Sequence, residues 1–168
     1  MTVVVDTNVP VVANGNSAQA SAECVLACTV RLRQLKEDGR LVLDDKWLIL
    51  GEYKANLRSQ GQPGVGDAFL KWVLTNLSNP DRCELVAITP TSAELDDFVE
   101  FPPSAGLADF HPDDRKFVAV AVAHRDHPPI LQAVDTEWWQ LRAELEKAGV
   151  TVDFLCPADM AAILKARE

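Results

Sequence analysis

Apolar residues in this chain fall into short β-branched runs separated by longer stretches with helical spacing. TVVV at 2–5 ends at Asp6 and predicts a fully buried strand. From Ser17 to Glu37, Cys24, Cys28, Leu32 and Leu35 recur at spacings of three and four, which predicts an amphipathic helix stopped by Gly39. LVL at 41–43 predicts a second strand. Residues 47–59, WLILGEYKANLRS, are apolar and then helical, and Gly61-Gln62-Pro63-Gly64 makes a mobile turn between two parts of one core. A helix over 67–77 ends at Asn79-Pro80. ELVAI at 84–88 predicts a third strand. An irregular stretch from Pro102 to Pro112 leads into the apolar helix DDRKFVAVAVAHR. Pro128-Pro129 introduces ILQAV, a fourth strand ending at Asp135. A helix over 137–147 stops at Gly149, and VTVDFL supplies a last strand. Strands alternating with crossover-length helices predict an α/β sandwich around a mostly parallel sheet, folded as one domain over residues 1–168.

Composition changes this picture little. A length of 168 residues with 48% apolar and 24% charged residues suits one globular core. The four cysteines lack the paired short spacings of a zinc site, since only a C-x3-C is present, and they read as buried free thiols. The N-terminus has no basic leader segment, and Asp6 interrupts its apolar run. FVAVAVA at 117–123 falls far short of the ~20 residues of a membrane helix. The expectation is a soluble cytoplasmic protein without a membrane. The net charge of −9 opposes a broad basic surface for nucleic acid. Clustered carboxylates would change that meaning, because they can form a cation site.

The acids are therefore the informative residues. In an open α/β sheet the ligand site lies beyond the carboxyl ends of the strands. Asp6 and Asp135 directly follow the first and fourth strands, so topology brings them to one edge. Glu52 follows the apolar WLIL, and Asp114 opens the apolar helix. Capping is the alternative for Asp6 and Asp135, a helix-end acid for Asp113 or Asp114, and a solvated face for Glu52. His111, His124 and His127 read as solvated histidines, the last two at a helix end. Of the adjacent Trp138 and Trp139, only one can face a given side, and a core or partner-facing role is expected over base stacking. Lys54, Arg58, Arg115 and Lys116 flank the acids as scattered charges and are candidates for phosphate contacts.

DTN after an N-terminal strand, the acid in LILGEY, the D-x2-F-x3-A spacing of Asp114, Phe117 and Ala121, and an Asp after ILQAV together resemble the PIN (PilT N-terminus) nuclease family. The similarity runs from residue 2 to about 155. It implies a three-layer α/β/α sandwich and a metal-dependent endoribonuclease, often the toxin of a toxin–antitoxin pair. Its metal-binding and catalytic acids fall on Asp6, Glu52, Asp114 and Asp135, its polar residue on Asn8, and a further acid on Glu137. Ala133 stands where the family commonly has Thr or Ser, with Thr136 nearby as a substitute hydroxyl. The implied cofactor is Mg²⁺ or Mn²⁺. The implied partners are single-stranded or structured RNA, an antitoxin protein and a second copy of the chain.

The chemistry suits the residue types. Carboxylate oxygens bind hard divalent cations, which lower the pKa of water and neutralise charge on a pentavalent phosphorus. Two carboxylates 5 Å apart repel by about 3 kcal/mol at an effective dielectric near 20, so several together imply a counter-cation. The alternatives are a PIN-like module that binds metal or partner with little catalysis, and a haloacid-dehalogenase-type phosphohydrolase. The second is disfavoured because Asn8 stands where that class has its second Asp.

Overall fold

The computed structural model describes residues 1–92 and 97–168. Five strands, β1 (Thr2–Val5), β2 (Arg40–Asp44), β3 (Cys83–Val86), β4 (Ile130–Gln132) and β5 (Val152–Phe154), pair in parallel in the order β3-β2-β1-β4-β5. Helices flank this sheet as an α/β/α sandwich. The chain steps outward from β1 to β2 and β3, then returns to lay β4 on the other side of β1. The strand order therefore reverses at the β1/β4 boundary, the place where open parallel sheets leave a crevice at their carboxyl ends. β1 is the central strand. Val3, Val4 and Val5 are fully buried, as their unbroken apolar run requires.

Between the strands run α1 (Asn8–Ala13), α2 (Ala22–Asp38), α3 (Leu48–Asn56), α4 (Val65–Asn76), α5 (Arg115–Ala123), α6 (Thr136–Gln140), α7 (Arg142–Lys147) and α8 (Pro157–Ala166). α2 buries Cys24, Cys28, Leu32 and Leu35, the stripe its spacing predicts, and starts later than expected, where the Ser21 side chain caps the Cys24 N–H. α4 rests against α1 so closely that a Cβ on Gly66 would sit 1.9 Å from the Pro10 carbonyl oxygen. The turn before α4 is tied down by Asp67, which accepts the Arg58 and Gly64 backbone N–H groups. The helix expected over 137–147 is two helices, broken at Leu141. Leu141 is an ordinary helix former, so no residue type marks the break.

Two expectations are overturned. Cys24 and Cys156 are not free thiols; they form a disulfide across 132 residues, with Cα atoms 5.3 Å apart. Chain spacing cannot reveal such a pairing, because it depends on the start of α8 docking against α2. Cys28 and Cys83 are free and buried, and burial, with a smaller contribution from Asp159, pushes the Cys28 thiol up to about 12. His124 is not solvated either. It caps the end of α5 with 4% exposure, accepts the Asp126 N–H at Nδ1 and meets Glu84 Oε2 at 2.8 Å through Nε2. Trp138 is the buried member of its pair, edge-on to Phe110, while Trp139 packs edge-on to Phe154 and under Arg142. Among the described residues no helix is long and apolar enough to cross a membrane.

Candidate metal centre

The carboxyl ends of β1 and β4 deliver Asp6 and Asp135 to one crevice. Asp6 is the first residue beyond β1 and is 4% exposed. Its Oδ1 accepts the Asn8 backbone N–H at 3.0 Å. Its Oδ2 is buried and finds no hydrogen-bond partner among the described residues. A buried carboxylate oxygen without a donor is costly, on the order of 1–3 kcal/mol or more for a charged group. Burial therefore raises the Asp6 carboxyl well above its ordinary range, and the charges of Asp114, Glu52 and Asp135 push it further the same way.

α3 carries Glu52 to this crevice. The next residue, Tyr53, is fully buried and donates its hydroxyl to the Val5 carbonyl at 2.6 Å, fixing α3 to the end of β1. Glu52 accepts from the Thr7 hydroxyl at Oε2 and from Lys116 Nζ at Oε1, the latter at 2.9 Å. Lys116 also donates to the Asp113 carbonyl. Asp114 is the last residue of a single 3₁₀ turn (Pro112–Asp114) and precedes α5 without capping it through its side chain. Burial and the charges of Asp135 and Glu52 raise its carboxyl from an ordinary 3.8 to about 7, against smaller opposing effects of Lys116 and His111. Asp135 caps α6 through Oδ1, which accepts the Glu137 N–H at 3.0 Å.

Glu52, Asp114 and Asp135 line one open cleft of about 460 Å³, together with Thr7, Asn8, Asn56, His111 and Asp113. Asp6 lies buried beside them. The four acids that the sequence singles out thus act on one another in a single place. Capping is part of Asp135's role but does not remove it from the cleft.

Asn8 serves this site through its frame. Its side chain donates to Gln132 Oε1 and accepts the Ala133 N–H at 2.9 Å, pinning the end of β4 to the start of α1. Its backbone N–H holds Asp6. Ala133 is fully buried at this seam. Glu137 accepts the His111 N–H at 3.0 Å and so holds the loop before Asp114. Thr136 accepts from Arg167 at the end of α8.

Sequence reasoning passed over Thr7 and Gln132. Thr7 is one residue from Asp6, so its position beside the acids was available; its bond to Glu52 was not. Of the four cations near the acids, Lys116 is taken by Glu52. Arg115 is held by the Phe110 and Ala108 carbonyls and Asp97, and lies over the Phe101 ring. Lys54 and Arg58 are exposed.

Comparison with protein-family models, with curated proteins and with solved structures gives no match to this chain.

Proposed function

We propose that the cleft binds a hard divalent cation and that the protein is a metal-dependent endoribonuclease of the PIN type. The observation that carries this reading is the buried, unpartnered Oδ2 of Asp6 among three further acids at the β1/β4 switch point. The donor set consists of carboxylate oxygens, which suits Mg²⁺ or Mn²⁺ rather than a soft metal. Asp6 and Asp114 would hold the ion most directly, with Glu52 and Asp135 completing its surroundings. When bound, such an ion supplies charge neutralisation at the scissile phosphate and a more acidic water.

The remaining work belongs to the chain. The Asn8 N–H fixes one oxygen of Asp6 and leaves the other without a donor. Thr7 and Lys116 hold both oxygens of Glu52, which sets its orientation and offsets its charge. Lys116 is nearly buried in this pairing and places its charge against Glu52. The cation requirement reconciles an RNA substrate with a net charge of −9.

The test is cleavage of a labelled single-stranded RNA with Mn²⁺ or Mg²⁺. Wild type should cut internally and stop on addition of EDTA. Asp6→Asn should lose more than about 100-fold in rate, beyond the 10–100-fold typical of groups that only support a metal ligand. Undiminished, EDTA-resistant cutting by Asp6→Asn would refute the reading.

A further inference from the structure

Cys24 and Cys28 stand one turn apart on the buried face of α2, and Cys156 immediately precedes α8. Asp159 clamps the two helix starts together, accepting the Ser21 N–H and hydroxyl at 2.7 and 2.9 Å. The three sulfurs lie within 4.8 Å of one another, and none of the three residues is more than 4% exposed. None of them lines the acidic cleft.

A structural disulfide needs two sulfurs, and Cys28 is a third beside it. Its burial makes it a poor nucleophile, because burial disfavours the thiolate, so exchange with the neighbouring disulfide does not account for its place. Ligation does. Thiolate sulfurs lie about 2.3 Å from a tetrahedral Zn²⁺, which puts neighbouring ligands about 3.8 Å apart. Asp159 joins the two helix starts independently of the disulfide, so the three sulfurs stay grouped when it opens.

We propose that Cys24, Cys28 and Cys156 form a three-thiolate site for one soft d¹⁰ cation of the Zn²⁺ class, available when the Cys24–Cys156 disulfide is reduced. A dithiol reductant supplies two electrons and two protons to the disulfide and leaves as its own disulfide. The cation then displaces one proton from each of three thiols to solvent. The site differs from the acidic cleft in chemistry: sulfur selects a soft ion, whereas carboxylates select a hard one. Cation and disulfide exclude each other, and each ties the start of α8 to α2. The C-terminal helix thus stays docked whether the sulfurs are oxidised or reduced.

The test uses the full chain reduced with a phosphine under argon and titrated with Cd²⁺, followed by sulfur-to-cadmium charge-transfer absorption. Reduced wild type should bind one equivalent with that absorption, and the oxidised protein should show none. Asp6→Asn should behave as wild type, which separates this site from the acids. Cys28→Ala, or Cys28→Val if the smaller side chain leaves the fold loose by circular dichroism, should keep the disulfide and weaken binding by roughly 100-fold or more. Absence of the band in reduced wild type, its persistence in the Cys28 variants, or its loss in Asp6→Asn would each overturn the proposal.

Discussion

Two buried aspartates stand at the ends of neighbouring parallel strands, and they have opposite surroundings. Asp44 ends β2 and is fully buried. Its Oδ1 accepts the Ile49 N–H at 2.9 Å, and its Oδ2 accepts those of Lys46 and Leu48 at 3.0 and 2.9 Å. Asp6 follows β1 with one backbone donor on Oδ1 and none on Oδ2. Asp44 is satisfied by the start of α3 and serves as a cap. Asp6 is left short of a donor and is crowded by like charge. Burial at a strand end therefore does not distinguish a site from a scaffold. The supply of donors does, and in the proposed reading a cation would stand where Asp6 Oδ2 lacks one.

Exchanging the carboxylates for amides should separate the two roles. Asp44→Asn puts an amide donor against backbone donors and should cost about 3 kcal/mol, read as a lower denaturation midpoint, while leaving the response to Mn²⁺ in place. Asp6→Asn should not lower metal-free stability, because it removes a poorly satisfied, crowded carboxyl rather than a cap. Equal destabilisation by both would erase the contrast.

A smaller effect concerns the hydroxyl that holds Glu52. Thr7→Val keeps shape and β-branching and removes that donor. Metal-dependent RNA cleavage should fall about tenfold, with the folding midpoint nearly unchanged. Serine at this position should restore most of the rate; failure of serine to do so would point to packing instead.

A further effect is a slope with pH. The Asp114 carboxyl titrates at about 7 in the folded protein against an ordinary 3.8. A carboxyl raised on folding binds its proton more tightly in the native state. Its contribution is whole below about pH 4 and is lost as pH rises toward and through about 7. Without metal, wild type should therefore lose stability relative to Asp114→Asn across that window, and Asp6 acts in the same direction. Saturating Mg²⁺ should flatten the difference. A difference that grows toward acid pH would contradict the crowding of these acids.

Much of this was legible in the residues. The β-branched runs marked β1, β2 and β4, and strands alternating with helices gave a parallel sheet, because few topologies fit that order. From there Asp6 and Asp135 reach one edge without further information. Other features depend on what meets across the fold. VVVD and LVLD look alike in sequence, and only the path of the chain after each tells Asp6 from Asp44. The Cys24–Cys156 pair, the Thr7–Glu52 bond and the burial of His124 against Glu84 join residues 40 or more apart, and no local spacing encodes them. Short α1 and the C-terminal α8 went unread because each offers little periodic pattern.

The most direct measurement is the thermal midpoint of wild type and Asp6→Asn with and without Mn²⁺. At about 100 times its dissociation constant a ligand that binds only the folded state adds about 2.7 kcal/mol, or roughly 5–10 °C for a chain of this size. Wild type should gain that rise and lose it with EDTA, while Asp6→Asn should gain almost none. A wild type indifferent to Mn²⁺, or an equal rise in Asp6→Asn, would contradict a cation site built on the unpartnered oxygen of Asp6.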